Sequence, residues 1–406
     1  PEDPPFDEKI VEGVVRVKLF SPSATLAGDS TQAQLYHYAE LPVRVRVVPP
    51  LPRARRLLWD QFHSVQYPHA FAPRDALWNK KEAFDWNGDH PHTNFRSLFS
   101  ALAGAGYVVD VLAAPLTCFH AHHYAALLIV DPEGVFNADE IAKLEADVRT
   151  QGLSLLVLAD WYSPPLFPQL SFFDWHTQRQ WVPATGGANV PALNELMQPF
   201  GVSLSHSALR GRMDLPDLPP VEFHSACAIA RFPGGGLLLT ASLINETHEL
   251  LHGARDTVAV PVLGLAAVTS SARVAVLVDS SCADDAHQSP TCIWLVLEML
   301  NFTTNGAVHP ALRNAAKVLR ANLWLDSIDD AAADPSPLPP PLLCALTHAT
   351  CPAPRVLSSY PNSSALLPEI FWPEPSYVNV TDAQRSQRAA EVDITVLTMR
   401  IFSLLA

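Results

Sequence analysis

The sequence predicts an α/β fold built on a mainly parallel sheet, and three observations predict it. Strand-sized apolar runs recur between residues 53 and 305. Segments of helical period stand between several of them, with cap residues at their ends. Glycines such as Gly104 and Gly106 break the chain where helix passes to strand. Short apolar strands alternating with helices bury both faces of a sheet, the usual setting of parallel pairing.

The elements follow in order. Residues 10–19 alternate Val15, Val17 and Leu19 with Arg16 and Lys18, and residues 41–48 alternate Leu41, Val43, Val45 and Val47 with Arg44 and Arg46. Each reads as a strand with one wet face. Two strands do not make an independent sheet. Residues 1–52 are therefore expected to be the C-terminal part of a β-domain, sandwich-like, whose other strands lie upstream. Pro49, Pro50 and Pro52 close it. An α/β domain is expected over 53–305, with strands at 56–59, 107–112, 125–130, 153–159 and 273–278. Its helices are expected at 94–103 after Thr93, at 139–150 after Asn137, and at 190–200 before Gly201. Prolines near 163–168 and 215–220 interrupt its second half. Residues 306–406 read as a Pro-rich irregular tail, in which 334–341 is DPSPLPPP, a stiff extended stretch.

Composition bounds the function. The chain has 406 residues and a formal charge of −14, which makes it a poor general binder of nucleic acid or of anionic membrane. Apolar residues are 48% and charged ones 17%, so a core is available and global disorder is excluded. No run reaches the ~18 apolar residues of a membrane helix; the nearest, 392–406, is broken by Arg400. Sequons stand at Asn245, Asn301, Asn362 and Asn379, and there are six cysteines. Together they point to a secretory or luminal compartment, where disulfides persist and sequons are glycosylated. No basic and apolar leader opens the chain at Pro1, so a luminal chain is expected to be a piece of a longer one.

Several constellations offer chemistry. Four expected strands end in aspartate: Trp59-Asp60, Val130-Asp131, Ala159-Asp160 and Val278-Asp279. In a parallel sheet these carboxylates line one edge, the usual ligand crevice. Gathered there, Asp60, Asp131, Asp160 and Asp279 offer Ca²⁺ the oxygen ligands it takes. The alternative, and the favoured one, is that each caps its following turn by accepting backbone N–H bonds. Asp85, Asn87 and Asp89 begin a calcium loop, but His90 and Arg96 stand where an EF-hand needs Gly and Glu. His120, His122 and His123 lack the partners of a zinc finger and read as a wet histidine cluster. Cys282 and Cys292 flank a short polar loop and make a candidate bridge. Cys344 and Cys351 are a second candidate pair, and Cys118 with Cys227 a third; free buried cysteines remain the alternative. The run PPLPRARR at 49–56 suits a processing protease, although an interdomain linker with solvated arginines is favoured.

The strand order resembles flavodoxin-like and glutamine-amidotransferase-like folds. Such amidotransferases carry a Cys on a sharp turn after a strand, whereas strand 153–159 runs into Asp160-Trp161-Tyr162. No G-x-S-x-G, Walker A or helix-opening G-x-G-x-x-G is present. Gly234–Gly236 precedes a strand-like run, the wrong order for holding phosphate.

Longer strings are more specific. They are PEDPPFD at 1–7, LLWDQ at 57–61, DWNGDH at 85–90, HTNFR at 92–96 and DWY at 160–162, then TGGAN at 185–189, PALNELM at 191–197, and DSSC at 279–282 with Asp284, Asp285 and His287. In this order they resemble the post-catalytic luminal region of the membrane-bound transcription factor site-1 protease family, subtilisin/kexin-like serine endopeptidases of the Golgi. The resemblance spans 1–305 and thins beyond 310. It implies an upstream subtilase catalytic domain and membrane-anchored transcription-factor precursors as substrates. It also implies a luminal cofactor protein as a further partner, calcium dependence in the parent protein, and a single-pass anchor near 391–406. A subtilase needs Ser, His and Asp, and none of the family's three triad signatures occurs here. His252-Gly253 is followed by Ala254 and Arg255, a near miss. No catalytic residue is carried over. Two other readings stay open: a luminal or secreted protein- or carbohydrate-binding module without protease activity, and a hydrolase or transferase using the acidic edge.

Overall fold

The computed structural model describes residues 9–21, 35–47, 51–64, 90–324 (save 93, 177, 217, 254 and 288) and 355–356. The chain divides into two units, the first of which includes Pro1–Leu51. There β1 (Lys9–Ser21) and β2 (Leu35–Val47) form an antiparallel ribbon. Its register sets Gly13 opposite Val43 and Val15 opposite Leu41, while Glu12 opposes Arg44 and pairs with it at 3.3 Å. Alternation thus separates an apolar face from a charged one.

In the second unit the chain runs β3 (Arg56–Asp60), α1 (Arg96–Gly104), β4 (Val108–Leu112), β5 (Ala126–Val130), α2 (Ala138–Gln151) and β6 (Ser154–Leu158). An excursion carrying β7 (Phe172–Asp174) and β8 (Arg179–Trp181) leads to α3 (Val190–Met197). Then come β9 (Ser203–Leu204), β10 (Leu209–Met213), β11 (Val221–Ala226), β12 (Ile229–Phe232), β13 (Leu237–Asn245), α4 (Glu246–His252), β14 (Thr257–Ala267) and β15 (Arg273–Leu277). α5 (Pro290–Asn305), α6 (Pro310–Ala315), β16 (Lys317–Val318), β17 (Leu323–Trp324) and β18 (Arg355–Val356) complete it.

Five strands are parallel, in the order β4-β3-β5-β6-β15. This is the 2-1-3-4-5 order of flavodoxin-like sheets, whose switch point lies here between β3 and β5. Every residue of β5 and β6 is buried, as a strand covered on both faces must be. Antiparallel β14, β13, β10 and β11 extend the sheet beyond β15, and β18 lines the other edge against β4. The sheet is the mainly parallel α/β arrangement that the sequence predicts.

The caps explain the helices. Asn137 and Glu140 form a capping box on α2, and Gly152 ends it in the left-handed region, φ 65°. Asn189 accepts from Ala192 N at the start of α3, and Ser289 from Cys292 N at the start of α5. Beyond 305, α6 packs Leu312 into the same core, so the α/β unit runs past the expected boundary. The arginines at 53–56 are structural. Arg53 donates to Tyr124 O and Gln151 O, both at 2.7 Å, and Arg56 to Asp110 Oδ2 at 2.8 Å.

Candidate functional site

All four strand-end aspartates lie at the carboxyl edge, and all are buried. Asp60 Oδ1 accepts from Phe62 N (3.1 Å) and His63 N (3.4 Å), which turns the chain sharply after β3. Its Oδ2 meets His63 Nδ1 at 2.6 Å, and His63 Nε2 lies 3.3 Å from Glu140 Oε1. Burial alone would lower the His63 pKa, but Asp60 and then Glu140 raise it to about 9, so the ring is an imidazolium. Glu140 also accepts from Leu116 N and Asn137 N, both at 2.8 Å. It is a buried acid fully engaged in holding α2 to β3.

Asp131 follows the central strand β5 at φ 48°, in the left-handed region that a non-glycine residue rarely adopts. Its N–H donates to Leu158 O at 2.9 Å. The next turn is fixed by Glu133 N and Gly134 N donating to His63 O at 3.0 and 2.7 Å, while Asn189 Nδ2 donates to Glu133 O at 3.1 Å. The chain therefore makes a sharp elbow after β5, and it carries an aspartate.

Asp160 and Asp279 form the second network. Asp160 Oδ1 accepts from Trp161 N at 2.6 Å, and Oδ2 from Ser280 Oγ and Ser281 Oγ at 2.9 and 2.8 Å. Asp279 Oδ2 accepts from His224 N (2.6 Å) and Ser225 N (3.3 Å), and Oδ1 from Cys282 N (3.1 Å). Ser225 Oγ and Ser281 Oγ join the two at 2.9 Å. Burial pushes Asp160 up to about 6 against the pull of its donors. Burial, and then Asp160, push Asp279 well above the carboxylate range. Both acids are thus held above the ordinary carboxylate range. His224 and His287 stack over this region, ring centroids 3.7 Å apart.

Chemically, this edge meets the carboxylates of Asp60, Asp160 and Asp279 with the chain's own N–H, hydroxyl and imidazolium donors, which is capping geometry. The aspartates divide among two networks and an elbow. Among the described residues no group of three or more His, Cys, Asp or Glu is placed to hold a metal ion.

The family model described as "MBTPS1, fourth GATase-like domain" matches residues 50–317. The human membrane-bound transcription factor site-1 protease is 34% identical over 401 residues, 97% of this chain and 37% of its own length. The Arabidopsis thaliana subtilisin-like protease SBT6.1 is 40% identical over 307 residues, 74% of this chain and 29% of its own length. The chain belongs to the site-1 protease family. It spans between about 29% and 37% of these relatives' own length. Among solved structures the mmIFT52 N-terminal domain is 11% identical over 62% of this chain and 99% of that one, with a TM-score of 0.39, too slight to carry an argument.

In this site-1 protease family member Cys282 is bonded to Cys292, which ties the end of β15 to the first turn of α5. The pairing of Cys118 with Cys227 is corrected. Cys227 is free and buried, its N–H spent on Val278 O at 3.1 Å. Cys118 is disulfide-bonded to a partner outside the described residues. Cys344 and Cys351 lie outside them too, as do Asn362, Asn379, Asp85, Asn87 and Asp89. Asn245 is buried and caps α4 by accepting from His248 N at 3.2 Å, a place with no room for a glycan. Asn301 is half-buried on α5, its Oδ1 accepting from Asn305 Nδ2 at 3.0 Å. His120, His122 and His123 are exposed on the 3₁₀ turns before the start of β5, whereas the aspartates follow the ends of their strands.

Sequence reasoning missed His63, Glu140, Ser225, Ser280 and Ser281. DSSC at 279–282 marks two of the serines, and His63 stands three residues after Asp60, one turn away. Ser225 carries no local signal.

Proposed function

We propose that this chain is the non-catalytic accessory region of a subtilisin-like serine endopeptidase. Peptide-bond hydrolysis by Ser, His and Asp takes place in the subtilase domain of the same polypeptide, outside these residues. The observation that carries the reading is the carboxyl edge, where an α/β enzyme keeps its reactive groups. Here Asp60, Asp160 and Asp279 are already engaged with the chain's own donors, and the sharp turn after β5 carries Asp131. Family membership supports the same reading. The finer assignments follow from the resemblance. They are a Golgi or ER lumen, a single-pass anchor, membrane-anchored transcription-factor precursors as substrates, a luminal cofactor protein as partner, and Ca²⁺ in the parent protein.

The test is a peptidase assay on the 406-residue chain and on the native polypeptide that contains it. Turnover only in the longer polypeptide supports the proposal. Turnover by the shorter chain, lost in Asp131→Asn, would make the elbow an active site and sink it. A native polypeptide with a signal peptide and no triad would leave a luminal binding module.

A further inference from the structure

Between β6 and α3 the chain leaves the carboxyl edge over residues 160–189, and both ends of the excursion are clamped. A Cβ on Gly187 would lie 2.6 Å from Asp160 Oδ1, and one on Gly186 would lie 2.2 Å from Trp161 O. Only glycine lets the returning chain pass this close. The stem has its own small core, where Trp161, Leu166 and Ala208 pack with Phe167, Leu170 and Leu251.

The tip does the opposite. β7 and β8 pair with each other as a two-stranded ribbon. The turn between them is ordered by its own bonds: Asp174 Oδ1 accepts from His176 N at 2.9 Å, and Gln178, at φ 56°, donates from Nε2 to Trp175 O at 2.5 Å. On this fixed frame Trp175 is 77% exposed, Val182 52% and Phe173 41%. Phe173 and Trp175 meet edge to face, centroids 4.9 Å apart. The only other large apolar side chains exposed among the described residues of this unit are Leu250 and Val318. A rigid stem that presents clustered aromatics to water is the mark of a contact surface.

We propose that the tip formed by Phe173, Trp175 and Val182 docks on the remainder of the same polypeptide, the part that carries the subtilase domain. This deepens the accessory-region reading and rests on it. The occupant follows from length and area. The chain spans 37% of the human relative and 29% of the Arabidopsis one, so most of the relatives' chain lies outside it. Three side chains bury a few hundred Å², short of the ~1,000 Å² a stable dimer of two copies needs. A domain tethered in one polypeptide faces an effective concentration near millimolar, where a small patch suffices.

Hydroxyl-radical footprinting of Trp175 tests it, in the 406-residue chain and in the native polypeptide. Oxidation should slow at least fivefold in the longer polypeptide. The double variant Phe173→Ser/Trp175→Asp should lower the peptidase activity of the native polypeptide severalfold, while the melting temperature of the 406-residue chain stays unchanged. Val318→Asp, exposed on β16 outside the excursion, should leave activity as it was. Equal oxidation in both polypeptides overturns the docking, as does concentration-dependent protection in the shorter chain, which would mean a second copy. Protection without any peptidase activity would leave docking standing and remove the protease reading.

Discussion

At the scale of single residues, Asp160 organises the carboxyl edge. It gathers Ser280, Ser281 and Trp161, and it forces glycine at the returning strand of the excursion. Gly187→Ala should therefore cost roughly 1–3 kcal/mol, the penalty of overpacking a filled site. Gly186→Ala should cost more, because the atom it meets is the Trp161 carbonyl oxygen, fixed in the backbone. Gly104→Ala is the control, since its Cβ meets nothing within 4 Å; it should be neutral or slightly stabilising in chemical denaturation. If all three behave alike, the clamp is not real. Strand-end aspartates are legible in the sequence because apolar runs stop at them. What they hold is not. The hydroxyl donors to Asp160 lie 120 and 121 residues away, and only the sheet order brings them together.

At the scale of elements, legibility follows regularity. The five parallel strands are short continuous apolar runs, and α2 and α3 carry their caps in the sequence, so each was found within a few residues. The antiparallel half was largely missed. In β13 the register shifts between Leu239 and Thr240, which breaks the period of two, and β14 carries Pro261 inside it. Only the start of β13 after Gly234–Gly236 reads as strand-like in the sequence. The cysteines show the same limit: sequence proximity serves for Cys282 and Cys292, while pairing the remainder fails for Cys118 and Cys227, since the first is bonded elsewhere and the second is free. The 282–292 bridge closes a loop of separation 10, which the chain-entropy relation makes worth about 3 kcal/mol. Cys282→Ser/Cys292→Ser should lose about that much. Peptide mapping without reduction should recover the two peptides joined. Cys227 should alkylate only after unfolding, because burial and then Asp160 push its thiol pKa up. Rapid labelling of native Cys227 would contradict this.

The molecule as a whole joins these buried charges in one pH dependence. Groups kept protonated by the fold lend stability below their ordinary pKa and lose it as pH rises through the folded value. Asp160 (3.8 to about 6), Glu246 (4.5 to about 7) and His63 (6.5 to about 9) are of this kind, and Asp279 shares the direction. Burial raises Glu246 first, and Glu249 adds to it against the pull of Arg210. Histidines kept neutral act oppositely, lending stability above their ordinary value and losing it as pH falls. Burial, and then His92, lower His90 to about 4, and burial lowers His92 and His206. Above about 6.5 this second group is neutral in both states and contributes no slope. Only the first group acts there, so the melting temperature should fall steadily from pH 6.5 to 9. Below 6.5 the two groups oppose, and the maximum should lie in mild acid. Asp160→Asn should flatten the limb between about pH 4 and 6 and Glu246→Gln that between about 4.5 and 7, while His63 keeps the part from 6.5 to 9. A melting temperature that rises from pH 6 to 9 would mean that the fold does not hold Glu246 and His63 protonated.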